Sequence, residues 1–363
     1  MPPGSDEDLL DQVHHYVLPA MQKQGPVVAW MVNDTGFVKK GTHSVGVTRQ
    51  YCGQVGKVEN CRTGVSLSVS TAAASLPIAW RLYLPELWTK DRKRRKATRI
   101  PDDIVFKTKP EIALQEIRAA LDRQIPSAPV LADAAYGNHT KFRKGISDLG
   151  LLYVVGVQVS TPVWKPGQAP LPKRKWKGIG RPTSLLRRVR RHHPISVHEL
   201  AMSLSSSAWR TVVWREGTRK TLRSRFAAVR TRPAYRDYWS GRPHPEEWLL
   251  IEWPSSETKP TKYWLSTLPI DSKLSDLVHW AKHSWIIERD YQELKQELGL
   301  GHYEGRGWRG FHHHATLCIS AYGFLVAERS RFSRSARAGR VHLPSPETLP
   351  FRARGGPDWH GTA

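Results

Sequence analysis

The stretch 285–295 carries residues whose types and spacing are best suited to chemistry. Its composition is typical of a helix, with good helix formers between apolar positions and Gly299 placed to end it. Glu288, Tyr291 and Lys295 lie three and four residues apart, so they would rise along one face. A carboxylate that can bind a metal ion and a cation that can bind a phosphate would then lie on the same face of the helix. The same spacing is common on solvated helices, so the rest of the chain has to decide between the two interpretations.

Two further positions place acids directly after apolar runs. Residues 26–32 form a continuous apolar run, which predicts a strand buried on both faces, and Asn33 and Asp34 follow it. A second run begins at residue 129 and leads into Asp133. The end of a buried strand is rigid and open to solvent, which suits a catalytic acid. The alternative is that these polar residues simply form the turn after each strand.

Composition limits the class of protein and its partners. The 363 residues are enough for one large domain or two, and 56 Lys and Arg against 32 Asp and Glu give a formal net charge of +24. Such a charge favours a nucleic acid as partner, with a ribosomal or membrane-surface protein as the alternative; the 15 Trp residues indicate a packed globular protein. Cys52, Cys61 and Cys318 lack zinc-finger spacing, which indicates reduced, buried thiols. We find no signal peptide and no apolar run long enough for a membrane span, so we expect a cytoplasmic protein.

Apolar periodicity predicts the order of the secondary-structure elements. The first half of the predicted order is a helix over 1–25, strands over 26–32, 43–52, 64–74 and 78–85, and a basic loop over 90–96. A helix over 109–124, a strand over 129–137, a helix over 139–148 and a strand over 151–157 follow. Short strands recur between 208 and 269, and helices follow over 274–298 and 311–331. The alternation of residues 65–70 predicts a strand with one covered face and one wetter face.

This order is that of a mixed α/β, ribonuclease-H-like catalytic core, a mixed sheet flanked by helices, with a β-rich insertion before the acidic helix. The predicted organisation is an N-terminal helical segment (1–25), the first part of the core (26–161), a basic β-rich insertion (162–269), C-terminal core helices with the third acid (270–332) and a disordered tail (333–363). In this fold Asp34, Asp133 and Glu288 would converge at one edge of the sheet. Convergent carboxylates suit a hard divalent cation, and a pair of such ions suits phosphodiester chemistry.

Three long blocks of the sequence resemble a known family. They are NDTGFVKKGTHSVGVTRQYCGQVGKVENC (33–61), LADAAYG (131–137) and WIIERDYQELKQELGLGHYEGRGWRGFHHH (285–314). The chain thereby resembles the bacterial insertion-sequence transposases of the DDE superfamily, in the branch with a Tyr…Arg…Glu…Lys signature. The resemblance implies a DNA endonuclease that cuts and joins strands with Mg²⁺ or Mn²⁺. It assigns Glu288 as the third acid and Lys295 as the lysine that holds a phosphate.

The resemblance also implies the partners and the setting of the protein. Double-stranded DNA would be bound as terminal inverted repeats and as target, by a homodimer in the DNA complex, in the nucleoid of a bacterial cell. Residues expected to contact this DNA are Tyr291, Lys295, Lys39, Lys40, Arg306, Lys173, Arg174, Lys175, Arg187 and Arg188. In and around the stretch 173–191, basic residues are interspersed with aromatic ones, which favours a nucleic-acid-binding groove. The alternative is a mobile linker.

The sequence departs from the family pattern in three places. Asn33 stands where relatives have the first catalytic Asp, and the acid here is Asp34. Ala281 and Ser284 stand where the branch usually has its Tyr and Arg. The segment before the first strand is shorter than in relatives, which implies a truncated N-terminal region. Either Asp34 is the metal ligand, or Asn33 faces the metal and this copy is decayed, with weak activity or none; we favour the second. The alternatives to a transposase are a ribonuclease-H-like nuclease without strand transfer and a catalytically dead DNA-binding remnant.

Overall fold

The computed structural model describes residues 5–181, 184–216, 221–237 and 242–332. The predicted disordered tail, 333–363, lies outside these residues. Within them, no helix is both long enough and apolar enough to span a membrane.

A mixed sheet of twelve strands runs through the described part of the chain. The strands are β1 (Ala29–Val38), β2 (Thr48–Cys52), β3 (Lys57–Ser70), β4 (Ser75–Tyr83), β5 (Val130–Ala132), β6 (Tyr153–Val157), β7 (Pro162–Trp164), β8 (Ile195–Ser196), β9 (Arg210–Glu216), β10 (Thr221–Pro233), β11 (Glu247–Trp253) and β12 (Lys262–Ser266). Their order is β2-β3-β1-β5-β6-β12-β11-β10-β7-β8, with β4 also beside β3 and β9 also beside β10.

The described helices cover the sheet or connect its strands. They are α1 (Asp6–Gln22), α2 (Glu86–Lys90), α3 (Arg92–Thr98), α4 (Lys109–Asp122), α5 (Ala134–Gly137), α6 (Thr140–Asp148), α7 (Val197–Met202), α8 (Leu274–Lys282), α9 (Trp285–Gln296) and α10 (Trp308–Phe332). α1 packs against α10, and both contact β4, whereas α4 contacts β3, β4 and α6.

The pairing of the central strands confirms the predicted fold class. β1, β3 and β4 are antiparallel neighbours, and β1, β5 and β6 are parallel neighbours joined through helices. The buried apolar run of β1 explains its central position, because both faces of that strand are covered. The sheet is therefore the mixed sheet of a ribonuclease-H-like core, followed in the chain by the helices that flank it.

β1 is longer than the sequence predicted. The predicted strand ends at residue 32, but β1 continues through Asn33 and Asp34 to Val38, because its backbone pairs with β3 as far as Val38↔Cys61. No turn intervenes, so the two polar residues alternate on a regular strand and point to opposite faces of the sheet.

The prediction that one face of the strand 65–70 is more exposed to solvent is wrong. All of these residues are buried, and two of the serines contact side chains of α9 and of the α8–α9 junction. Ser66 Oγ hydrogen-bonds the Tyr291 hydroxyl of α9, and Ser70 Oγ lies 2.9 Å from His283 Nε2. Two of the three serines thus have partners in the layer that covers the sheet, whereas the Ser68 hydroxyl is buried with no hydrogen-bond partner among the described residues. Binary patterning alone cannot distinguish such a covered polar face from one exposed to solvent.

Two other predictions of local structure differ from the structure. The basic stretch 90–96 is not a loop: Asp91 caps α3, its side chain accepting from the Arg94 N–H, and the Arg94 guanidinium lies over the Trp88 ring. The helix predicted over 274–298 is two helices, since the chain breaks between α8 and α9 at His283 and Ser284.

The β-rich stretch between residues 208 and 269 extends the core sheet. Its last strand, β12, pairs antiparallel with β6 from Tyr263↔Val157 to Ser266↔Val154. β11 and β10 continue outward from β12, and β9 adds to β10. The core strands and the following strands therefore form one hydrogen-bonded surface.

Candidate active site

Asn33 and Asp34 lie on opposite faces of β1. Asn33 pairs with Ser66 across β3, and paired residues share a face of the sheet. Because the Ser66 hydroxyl bonds Tyr291 of α9, this is the face that α9 covers. Asp34 pairs with Val65 and so points to the other face, on which α4 packs.

Asp34 forms an ion pair on the α4 face. Its Oδ2 accepts a 2.7 Å hydrogen bond from Lys109 Nζ, and both side chains are about three-quarters covered, with 22% and 25% exposed. Sequence reasoning missed Lys109. The one signal was its place at the start of α4, because a cation is unfavourable at the positive end of a helix dipole and needs another reason to be there.

Asp133 follows β5 and caps the short helix α5. Its carboxylate accepts from the Ala135 N–H at 2.9 Å. β1 and β5 are parallel, and Met31 pairs with Leu131. Two residues further along each strand, Asn33 and Asp133 are therefore neighbours. Asp133 is exposed, but the protein atoms around its carboxyl desolvate it in part and raise its pKa, and the negative charge of Asp34 raises it further. The backbone N–H groups of Ala135 and Tyr136 and the charge of Lys109 lower it.

A cleft of ≈ 530 Å³ brings Asn33, Asp133 and Glu288 together. Glu288 is exposed on α9, with no hydrogen-bond partner among the described residues. Asp34 is not among the residues that line this cleft, but Ser284 and Ala281 are. The structure therefore places two predicted acids and Asn33 in one cleft. Asp34 lies outside the lining, on the α4 face of β1, but close enough for its charge to act on Asp133.

The donors of this cleft are all oxygen atoms of the kind that hard divalent cations prefer. Two carboxylates and an amide carbonyl fit such an ion in chemistry, although they supply one negative charge fewer than three carboxylates would. Among the described residues, no three His, Cys, Asp or Glu side chains form a group that could hold a metal ion. An Asp at position 33 would supply the missing third carboxylate on the cleft face.

Tyr291 and Lys295 are engaged with the protein itself. Tyr291 is 6% exposed and bonds Ser66, and burial raises the pKa of its phenol, so its placement does not support a DNA contact. Lys295 Nζ donates to the Gly36 carbonyl at 3.1 Å and to Gln54 Oε1 at 3.3 Å, over the ring of Phe37. Burial lowers the pKa of this ammonium.

Three of the residues predicted to contact DNA, Lys39, Lys40 and Arg306, belong to the segment after β1 and to the segment before α10. Lys39 Nζ donates to the Tyr303 carbonyl at 2.7 Å and is largely covered, whereas Lys40 and Arg306 are exposed. The Val45 N–H donates to the Arg306 carbonyl, and a Cβ at Gly307 would lie 3.6 Å from the Thr98 carbonyl of α3. The C-terminal end of α3 therefore lies beside the segment that carries Arg306.

The predicted contacts within 173–191 divide into two kinds. Lys173, Arg174 and Lys175 are exposed. Arg187 donates to the Pro172 carbonyl, and Arg188 donates to the buried carboxylate of Asp237, so these two guanidinium groups hold the local structure.

Comparison with known proteins identifies the family. A protein from Microchaete diplosiphon, named "Probable transposase for insertion sequence element IS701", is 29% identical over 136 residues. That alignment covers 37% of this chain and spans about a third (33%) of the relative's length. A family model described as DDE superfamily endonuclease matches residues 3–221, more than half of the chain. The branch with the Tyr…Arg…Glu…Lys signature stays a prediction, but the chain belongs to the DDE superfamily endonucleases.

Proposed function

We propose that this chain is the transposase of an insertion sequence, a metal-dependent enzyme that hydrolyses phosphodiester bonds at the ends of the element and transfers the strands to a target. Membership in the DDE superfamily endonucleases, which generally use divalent metal ions, supports the class of reaction. The relative's name supports the biological setting, an insertion sequence. Mg²⁺ or Mn²⁺ is the cofactor proposed, and double-stranded DNA is the partner.

One observation carries the proposed site: Asn33, Asp133 and Glu288 line the same cleft, on the α9 face of β1. Asp133 and Glu288 would hold the ions, and the Asn33 amide oxygen would take the place of a third carboxylate. Bound divalent ions supply an activated attacking oxygen and a stabilised leaving oxygen. Asp133 is oriented for this role by the Ala135 N–H, and Glu288 by the buried side of α9. Lys295 would hold β1 in place from the Gly36 carbonyl rather than reach a phosphate.

The DNA would extend from the cleft over the basic surface at the end of β1. Lys40, Arg306 and the exposed side chains of α3 belong to this surface, and an open groove of ≈ 730 Å³ beside α3 is lined by Lys90, Arg92, Arg95, Lys96 and Arg99. Such a density of cations suits a phosphate backbone. The exposed cations Lys173, Arg174 and Lys175, and a homodimer in the DNA complex, belong to the same proposal.

The placement of Asn33 also favours a second candidate, a DNA-binding remnant with a weakened metal site. A cleft with two carboxylates binds a divalent ion less tightly than one with three. In this remnant the fold and the basic surface are intact, and only the metal affinity is reduced.

The test is a pair of substitutions on adjacent residues of β1. Asn33→Asp adds a carboxylate to the cleft and should raise Mg²⁺-dependent cleavage of a duplex carrying the element's ends by on the order of tenfold or more. Asp34→Ala removes an acid on the other face and should change cleavage by less than about twofold. Thermal melting with and without Mg²⁺ gives a second readout, since Asn33→Asp should enlarge the stabilisation by the ion.

Two controls complete the design. Glu288→Gln in the Asn33→Asp background should abolish the gained cleavage, which shows that the gain depends on the cleft. If the unaltered protein cleaves well and Asp34→Ala abolishes cleavage, Asp34 is the ligand and the assignment of Asn33 to the site is wrong.

A further inference from the structure

An arginine from the edge strand β9 reaches the mouth of the acidic cleft. The Arg215 guanidinium carbon lies 3.7 Å from the centre of the Trp285 ring, so the two groups are stacked. Trp285 precedes Glu288 by one turn of α9, and residues three apart in a helix share a face. Arg215 and the exposed Glu288 therefore line the same cleft although the two residues are far apart in sequence.

A β-bulge aims Arg215 at the cleft. In the pairing of β9 with β10, Leu222 pairs with Arg215 but Arg223 pairs with Val213, so Trp214 is an extra residue on β9. On a regular strand Trp214 and Arg215 would point to opposite faces. Here both line the cleft, which is the effect that bulges have when they redirect a side chain near a functional site.

Three cations line the cleft, Arg215, Lys262 and Lys282, and Arg215 is the one whose planar group is held over an aromatic ring. Lys262 is exposed, and its ammonium is a point charge on a flexible stem without a planar fork of donors. Lys282 is neutralised by Glu252 at 2.6 Å and lies over the rings of Trp214 and Trp264. Among the side chains that the structure describes, which do not include that of Glu216, no carboxylate lies within ion-pair distance of Arg215. A guanidinium that lies over a ring face keeps the N–H groups that do not point at the ring, and two of these match two oxygens of a phosphate.

We propose that Arg215 binds a phosphodiester group of the DNA strand that enters the cleft, as a bidentate clamp preorganised by Trp285. This inference rests on the proposed function, because it requires a nucleic-acid strand at the acidic site. The cleft needs such a cation, since Asp133 and Glu288 repel the phosphate that they have to act on. Stacking on Trp285 fixes the side chain before the strand binds, so less conformational freedom is lost on binding.

The main structural alternative is that the Arg215–Trp285 stack only braces β9 against α9. A brace and a phosphate clamp differ in salt dependence. Removing a phosphate contact lowers the slope of log affinity against log salt concentration, whereas loosening a brace leaves the number of released counterions unchanged. The slope is therefore the decisive readout.

The experiment uses the full-length chain and a fluorescently labelled duplex of random sequence with a single-stranded 3′ end, in Ca²⁺ to prevent cleavage. Affinity is measured by anisotropy across a salt series for five variants: Arg215→Ala, Arg215→Lys, Trp285→Leu, the double variant Arg215→Ala/Trp285→Leu and the control Arg210→Ala. Arg210 is an exposed arginine on the same strand that does not line the cleft. Thermal melting of each variant checks that it is folded.

Arg215→Ala should weaken binding about tenfold and lower the salt slope by about 1. Arg215→Lys should keep the slope but weaken binding about threefold, because lysine lacks the planar fork. Trp285→Leu should weaken binding in the unaltered background and have no effect in Arg215→Ala. Arg210→Ala should change neither quantity.

The outcomes separate the clamp from the proposed function. If the unaltered chain binds the duplex and Arg215→Ala behaves like Arg210→Ala, or loses affinity with an unchanged slope, the clamp is refuted and DNA binding stands. If the unaltered chain fails to bind DNA even at low salt, the proposed function fails and the clamp fails with it.

Discussion

The buried histidine of α10 gives a sharp prediction about stability and pH. His312 is 8% exposed; its Nε2 accepts from the Leu82 N–H at 3.2 Å, and its Nδ1 lies 3.0 Å from the Trp308 carbonyl. These two contacts require a neutral ring with its proton on Nδ1. Burial lowers the pKa of His312 from 6.5 to about 4. A proton on Nε2 would face the Leu82 N–H with no acceptor.

The size of the effect follows from the shift in pKa. A change from 6.5 to about 4, at about 1.36 kcal/mol per pKa unit, corresponds to about 3 kcal/mol. The folded pKa is the lower one, so between these values the unfolded chain binds more protons. His312 therefore contributes its full stability above pH 6.5, loses it as the pH falls towards 4, and has no further effect below that value.

The assay is urea unfolding between about pH 7.5 and about pH 4.5, which spans most of this window. His312→Gln keeps a donor and an acceptor in the same place but does not titrate, so its free energy of unfolding should fall by about 2–3 kcal/mol less than that of the unaltered chain. The control is His43→Gln, because His43 is an exposed histidine and its replacement should leave the free energy of unfolding unchanged. Parallel pH profiles for His312→Gln and the unaltered chain would refute the reasoning.

Two further substitutions test the packing. Gly137→Ala should destabilise the protein by at least about 3 kcal/mol in thermal melting, because its Cβ would lie 1.9 Å from the Gly156 carbonyl oxygen; Gly41→Ala, with open space around its Cβ, should change stability by less than about 0.5 kcal/mol. Asp237→Ala should cost about 2–4 kcal/mol in urea unfolding, because the buried N–H of Trp164 loses its acceptor and the Arg188 guanidinium loses the carboxylate with which it pairs. A cost below about 1 kcal/mol would contradict this.

The order of the elements was predictable because it depends on local periodicity. The apolar run before Asn33 and the strand–helix–strand pattern around Asp133 each indicate a buried parallel strand from their own residues. The three long blocks that resemble a known family then predicted the fold and the class of reaction. Element ends were less predictable: β1 runs to Val38 because β3 pairs with it, and that pairing partner is distant in sequence.

The face on which a polar residue lies was the part that sequence could not settle. Whether Asn33 or Asp34 points to the cleft depends on where the regular strand ends, and the favoured choice of Asn33 stays a prediction of the site. The partner of Asp34 was not visible either, since Lys109 is separated from it by three strands and two helices. Arg215 was missed for a similar reason: a bulge, which composition does not reveal, decides its direction.

The pairing of β12 with β6 determines how the cleft can respond to a ligand. The walls of the cleft come from both sides of this junction, with Asn33 and Asp133 on one side and Arg215 on the other. A cleft between two bodies on a flexible linker can close by rotation, but here a continuous ladder of backbone hydrogen bonds joins the walls. Opening or closing of the cleft would therefore require the whole hydrogen-bonded sheet to change its twist. We therefore expect the shape change on binding to fall mainly on the nucleic acid, whose strand must bend or separate to enter.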